Sequence, residues 1–148
     1  MAAPDRQRRW PAFALAAVFL AYAVGKAAFA MQARLGFPGG PPVSDAETRD
    51  YFLNPALAQW FATATGVLAA VLTLATVTAT GRRVPRPLML LVLAGMAVAV
   101  LGGGGIMALD AFIGLGVGWN AYYGVLGIAM VALFAETTRS YLKVTRAV

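Results

Sequence analysis

The sequence predicts an all-α integral membrane protein built as a bundle of four transmembrane helices. Three observations predict it: the chain is 60% hydrophobic and only 12% charged, its mean hydropathy is +0.72, and its apolar residues fall in four long runs. A soluble domain is about half apolar and about a quarter charged. Each run approaches the ~20 residues that an α-helix needs to cross the hydrocarbon core, and none shows the period-2 alternation of a barrel strand.

We therefore expect residues 1–148 to form a single transmembrane domain. The predicted spans cover residues 11–31, 55–79, 87–109 and 115–135, and residues 32–54 form the long loop between the first two. Two starts are open for the fourth span. It begins near Ala111 if it is long, or at Trp119 if the glycine-rich segment before it re-enters the membrane.

The first span has a second interpretation. RQRRW, the apolar run after it and the small-residue pattern at residues 28–30 also fit a cleaved secretory signal peptide. The length of the run and the charge of Lys26 just before the cleavage position favour a retained helix.

The basic residues predict the orientation. Nine of the 12 basic residues lie in three clusters, which are Arg6, Arg8 and Arg9; Arg82, Arg83 and Arg86; and Arg139, Lys143 and Arg146. With four spans all three clusters fall on one side, and the positive-inside rule makes that side and both termini cytoplasmic. The net charge of +6 is thereby explained by basic residues that set the topology and attract anionic lipid, so no nucleic-acid partner is expected.

Local signals predict the boundaries of the first elements. Trp10 and Pro11 combine an interfacial aromatic ring with a proline at a first-turn position. GFPGGPPV predicts an extended, irregular first half of the long loop. Ser44 and Glu47 then form a capping-box pattern, which predicts a short amphipathic helix over residues 45–53.

Small residues on spans two and three predict close helix packing. On span two they recur at spacings of four and three, at Ala62, Gly66, Ala69, Thr73, Thr76 and Thr80. This pattern is typical of a left-handed packing seam, and the threonines also permit a polar conduit. On span three Gly95, Ala99 and Gly103 share a face, and four consecutive glycines at 102–105 predict either a close helix crossing or an irregular segment.

Lys26 and Asp110 are the candidate ligand-binding residues, together with Trp119 and Asn120. Lys26 lies 16 residues past Trp10 and Asp110 about 22 past Arg86–Pro87, which places both near the outer end of their spans. An ion pair between them would explain how a bilayer tolerates each charge. The alternative is that Lys26 reaches to the interface, Asp110 ends its helix, and Trp119 anchors an aromatic belt.

The residues that are missing exclude several chemistries. The chain has no cysteine and no histidine, which rules out disulfides, haem attachment, a Ser-His-Asp triad and zinc sites of the usual ligands. The glycines at 102–105 lack the GK[ST] of a phosphate-binding loop. We expect no cofactor and no metal.

Three functions remain open. The first is an oligomeric binding or transport element for a small or lipophilic ligand near the outer face. The second is a structural or accessory subunit of another membrane protein. The third is a cofactor-free membrane enzyme acting on a lipid or isoprenoid, with Asp110 and Lys26 as acid and base. Arginine outnumbers lysine strongly and alanine is abundant, a composition that favours a GC-rich bacterial genome and hence a bacterial inner membrane.

Overall fold

The computed structural model describes residues 8–146, which form an all-helical fold. The helices are α1 (Trp10–Met31), α2 (Asp45–Arg49), α3 (Pro55–Ala75), α4 (Arg86–Val100), α5 (Ile106–Ile113) and α6 (Ala121–Arg146). A π-helix at Leu101–Gly105 joins α4 to α5, so that Arg86–Ile113 forms one 28-residue span. Together with α1, α3 and α6, this span gives four helices long and apolar enough to cross a membrane. The predicted fold class is confirmed; Arg6 of the first basic cluster lies outside the described residues.

The four spans pack with alternating direction. α1 packs against α3 and α6, and α6 in turn packs along α4, the π-helix and α5. The Ser140 hydroxyl donates to the carbonyl of Arg8 at 3.3 Å, which places the end of α6 beside the start of α1. We call this side, with residues 82–86, the basic end. The opposite side, formed by residues 32–54 and 114–120, is the loop end.

The apolar core lies toward the basic end. Its buried members are Leu15 of α1; Met89, Leu93, Met96 and Val100 of α4; and Phe134 and Tyr141 of α6. Only 22–28% of each span is buried inside the protein, and outward residues such as Leu91 and Val98 are 70% and 74% exposed. So large an apolar surface is expected of helices that face lipid.

The packing seam predicted on span two packs against α1. A Cβ on Gly66 would lie 3.1 Å from the Phe19 carbonyl oxygen, so the two helices approach closely there. The hydroxyls of Thr73 and Thr76 each donate at 2.7 Å to a carbonyl of the preceding turn, Ala69 and Thr73 respectively. This is the hydrogen bond by which a threonine satisfies itself within an apolar helix.

The predicted close crossing on span three uses a different glycine. A Cβ on Gly127 of α6 would collide with the carbonyl oxygen of Gly104, so these two residues set the approach of the helices. Gly95 and Gly103, on the predicted face, have nothing else of residues 8–146 within 4 Å of where a Cβ would stand, apart from the adjoining turns of their own helix. The four glycines remain helical but widen into the π-helix, since no side chains restrain the backbone there.

Several helix ends differ from the sequence prediction. α3 ends at Ala75 rather than residue 79 because the chain folds back, and a Cβ on Gly81 would collide with the Ala75 carbonyl. Thr80 therefore lies outside the seam. Span three continues to Ile113 and α6 begins only at Ala121. The segment between them is neither helical nor the start of a long fourth span, because its three glycines all have positive φ, Gly114 at 81°, Gly116 at 84° and Gly118 at 99°.

Replacing Gly127 by alanine is expected to destabilise the bundle. The added methyl group collides with the Gly104 carbonyl, and overpacking of this kind costs about 1–3 kcal/mol. Gly95→Ala is the matched control, since open space surrounds that position and alanine is the better helix former. Thermal unfolding of the purified protein in detergent should show a lower Tm for Gly127→Ala only. Equal Tm values for the two variants would contradict the crossing.

Candidate functional site at the loop end

The long loop folds back over the bundle through the ring of Phe37. The ring occupies the space left by Gly25, where a Cβ would lie 2.6 Å from its Cε2 atom. It stacks on Tyr22 of α1, with centroids 5.8 Å apart and planes 10° apart, and meets Tyr123 of α6 edge-on at 6.0 Å. The Tyr123 hydroxyl donates to the carbonyl of Pro38. Aromatic contacts thus fix the first half of the loop against both α1 and α6.

Two side chains converge on a single backbone carbonyl beneath this loop. The Lys26 Nζ donates to the carbonyl oxygen of Gly36 at 2.9 Å, and the Gln59 Nε2 donates to the same oxygen at 2.9 Å. Gln59 also donates to the Arg34 carbonyl at 2.8 Å and is 2% exposed. Gly36 has a φ of 101°, which favours glycine. This hydrogen bond uses one of the three donors of the Lys26 ammonium.

A pocket of about 570 Å³ opens beside these groups, between α1, α2 and α3. The Lys26 ammonium and the Gln59 amide line one part of it, and the carboxylates of Glu47 and Asp50 line another. Its remaining walls are mostly apolar: Leu35, Val43, Tyr51, Phe52, Ala58 and Ala62. The volume falls within the range typical of small-molecule sites, and the mixture of charged and apolar walls suits an amphipathic molecule.

The predicted capping box positions the acidic part of the pocket. The Ser44 backbone N–H and hydroxyl donate to the Glu47 carboxylate at 2.8 and 2.7 Å, and the Ser44 hydroxyl accepts from the Glu47 N–H at 3.2 Å. The two bonds to the carboxylate hold the pKa of Glu47 below its ordinary value, the backbone bond contributing most. The short helix predicted here is present, but it ends at Arg49 rather than residue 53.

Asp110 serves the backbone of its own loop. Its Oδ1 accepts from the N–H of Val117 at 2.9 Å, and its Oδ2 accepts from the N–H groups of Gly118 and Trp119 at 2.8 and 2.6 Å. The residue is 5% exposed. One carboxylate thus accepts from three N–H donors that the glycine-rich turn would leave unpaired.

Asn120 and Trp119 also have structural partners. The Asn120 Oδ1 accepts from the N–H of Tyr123 at 3.2 Å, as an N-cap of α6 does. The Trp119 ring meets Tyr123 edge-on at 5.2 Å and covers Gly40, where a Cβ would lie 3.1 Å from the ring. Neither residue lines the pocket beside Lys26.

The ion pair expected between Lys26 and Asp110 does not form. Within residues 8–146 the Lys26 ammonium pairs with the Gly36 carbonyl and the Asp110 carboxylate with backbone N–H groups. The two residues named as acid and base therefore have separate partners. Asp110 lies in the last turn of α5, and its carboxylate accepts from N–H groups of the segment that follows.

The sequence did not identify Gln59, Glu47 or Asp50 as pocket residues. Gln59 could have been noticed as an amide in the second turn of an apolar span. Glu47 and Asp50 could not, since their sequence pattern predicts an ordinary capped surface helix.

No protein-family model matches this chain, and comparison with curated proteins and with solved structures found no match.

Asp110→Asn is expected to loosen the turn at residues 114–119. An asparagine keeps one acceptor oxygen but turns an NH₂ group toward backbone donors, and hydrogen bonds to a charged group contribute about 1.5–3 kcal/mol. Hydrogen exchange should become faster at the amides of Val117, Gly118 and Trp119, while the amide of Met89 at the basic end, which donates to the Pro85 carbonyl at 3.1 Å, stays protected. Unchanged exchange at the first three amides would refute this role of the carboxylate.

Proposed function

We propose that this protein is a membrane-embedded binding element, acting alone or within a transport assembly, whose loop-end pocket holds a small amphipathic ligand with an anionic group. The observation that carries the proposal is the Lys26 ammonium. It lines the pocket, and its hydrogen bond to Gly36 leaves two donors for a ligand. A partly buried ammonium without a carboxylate partner is costly in an apolar span unless another group completes its coordination.

The pocket chemistry supports this ligand class. The ammonium offers charge-assisted hydrogen bonds to a carboxylate or phosphate, which are about twice as strong as neutral ones. Tyr51 and Phe52, whose rings lie 4.8 Å apart, provide an apolar wall for the rest of the molecule. Glu47 and Asp50 provide acceptors for any donors the ligand carries.

Asp110, Trp119 and Asn120 belong to this proposal as positioning residues. Asp110 holds the turn at residues 114–119, and Trp119 packs from that turn onto Gly40 in the long loop. Asn120 caps α6 by accepting from the N–H of Tyr123. The Tyr123 ring packs against Phe37, and its hydroxyl donates to the Pro38 carbonyl. Through these contacts the three residues support the loop whose Gly36 carbonyl orients Lys26.

Native mass spectrometry of the protein gently extracted from its own membrane tests the proposal. Lys26→Met should lower the occupancy of a bound small molecule at least about tenfold, the loss expected for a hydrogen bond to a charged group. The fold should be retained because Gln59 still satisfies the Gly36 carbonyl. Arg82→Met, which removes a cation at the basic end outside both the loop-end pocket and the groove beside α6, is the control and should keep the molecule. Equal occupancy in the two variants, or no small molecule in the wild type, would reject the proposal.

A second candidate function is that of an accessory subunit or self-assembling element, and the open glycine face favours it. In the described part of the chain, nothing outside the adjoining turns of their own helix lies within 4 Å of the Cβ positions of Gly95, Gly102, Gly103 and Gly105. Another helix could approach the backbone closely there. A partner protein in the same spectrum, with no small molecule in either sample, would support this function over ligand binding.

We also propose that the protein lies in a bacterial inner membrane with its basic end in the cytoplasm. The charge clusters support this orientation through the positive-inside rule. Because the chain has no cysteine, single cysteines report the topology directly. Ala46→Cys at the loop end should react with a membrane-impermeant maleimide in intact spheroplasts. Thr80→Cys at the basic end should react only after lysis, and the reverse pattern would invert the orientation.

A further inference from the structure

A groove of about 530 Å³ runs between the third and fourth spans. Ala97, Val100 and Leu101 form one wall, and Val131, Phe134 and Ala135 of α6 form the other. Leu101 is 57% exposed, so the groove is open to the surroundings of the bundle rather than enclosed. In a bilayer it therefore faces the acyl chains.

Three cations line the end of this groove. Arg139, Lys143 and Arg146 are spaced four and three residues apart, which places them on one face of α6. Glu136 lies 3.9 Å from the Arg139 guanidinium, but it does not line the groove, and the Arg139 side chain is 68% exposed. An exposed pair of this kind is weak, and an arginine has five donors, so Arg139 keeps donors for a second anion.

A buried hydroxyl lies between the apolar walls and the cations. Thr138 lines the groove, and its Oγ1 is buried with no hydrogen-bond partner among residues 8–146. Thr73 donates to a carbonyl of the preceding turn, whereas the Thr137 hydroxyl is also buried with no partner among residues 8–146 but does not line the groove. A buried hydroxyl that forgoes this bond costs free energy unless something outside the chain completes it.

We propose that the groove is a binding site for one anionic phospholipid of the surrounding leaflet. Along α6 the groove presents apolar side chains, then a hydroxyl, then cations, which is the order of acyl chain, glycerol ester and phosphate in a phospholipid. The acyl chain lies along Val131 and Phe134, an ester carbonyl accepts from Thr138, and the head group meets Lys143 and Arg146. Basic pockets between transmembrane helices recognise anionic head groups in this way.

The dimensions of the groove agree with this occupant. From Val131 to Thr138 the helix rises about 10 Å, which lies within the hydrocarbon thickness of one leaflet, about 15 Å. Charge complementarity selects the anionic lipids over the zwitterionic ones. The site shares no residue with the loop-end pocket and does not depend on the function proposed for that pocket.

Native mass spectrometry of the full-length protein from nanodiscs tests the site, with equal parts of phosphatidylglycerol and phosphatidylcholine as the probe. The wild type should retain one phosphatidylglycerol in preference to phosphatidylcholine. Lys143→Gln with Arg146→Gln should reduce its retention at least about tenfold. Arg82→Gln with Arg83→Gln removes the same charge from the same end outside the groove and should change it little. Equal loss of phosphatidylglycerol in the two double variants would show only a general attraction of the lipid to surface charge and would overturn the proposal.

A second pair of variants tests the groove without changing charge. Ala135→Trp fills it and should displace the lipid, whereas Ala132→Trp, at an exposed position that does not line the groove, should not. Thr138→Val should lower retention about three- to tenfold by removing the hydroxyl. Retention by Ala135→Trp, equal retention of the two lipids by the wild type, or a lipid-free dimer held through this groove would each overturn the proposal.

Discussion

The requirement that every backbone polar group find a partner where water is scarce determines how the loop end is built. Helices meet it along the spans, but each reversal leaves donors and acceptors unpaired. Asp110 supplies the acceptor for three N–H groups of one turn. Lys26 and Gln59 supply donors for the carbonyls of the other loop. The Asp110 carboxylate thus lies where backbone N–H donors cluster, and the Lys26 ammonium lies beside a backbone carbonyl. Each charge is stabilised by the backbone groups it faces and not by an ion pair with the other.

This matching separates the structural polar groups from those available to a ligand. The Asp110 carboxylate accepts hydrogen bonds from its own turn. Its charge is therefore not evidence for a ligand, although it stands out in an apolar part of the sequence. Lys26 shares its carbonyl partner with Gln59, and its ammonium also lies 5.6 and 6.0 Å from the ring centroids of Tyr22 and Phe37. These contacts leave two N–H donors of the ammonium beside the pocket, and it is there that a binding role is best sought.

The class of fold and the starts of two spans could be predicted because they depend on local chemistry. Pro11 and Pro55 each occupy a first turn where no N–H is needed, and the Ser44–Glu47 cap forms as its spacing predicts. The site could not be predicted as well, since residue spacing gives the height of Lys26 and Asp110 in the membrane but not the direction in which each points. The π-helix at Leu101–Gly105 makes the direction of Asp110 harder to predict. A π-turn takes in an extra residue and rotates the residues after it by about 100° relative to an α-helix.

The glycines that allow this irregularity also explain why it occurs where it does. Gly104 and Gly127 bring two backbones so close that a methyl group cannot fit between them, and the widened turn lies at that crossing. Above it, α5 packs tightly on the start of α6, where a Cβ on Gly124 would lie 2.5 Å from the Cβ of Ala111. Below it the helices diverge into the groove beside Phe134. A crossing that closes one end of a helix pair opens the other, so the same glycines that hold the loop end together create the apolar groove at the basic end.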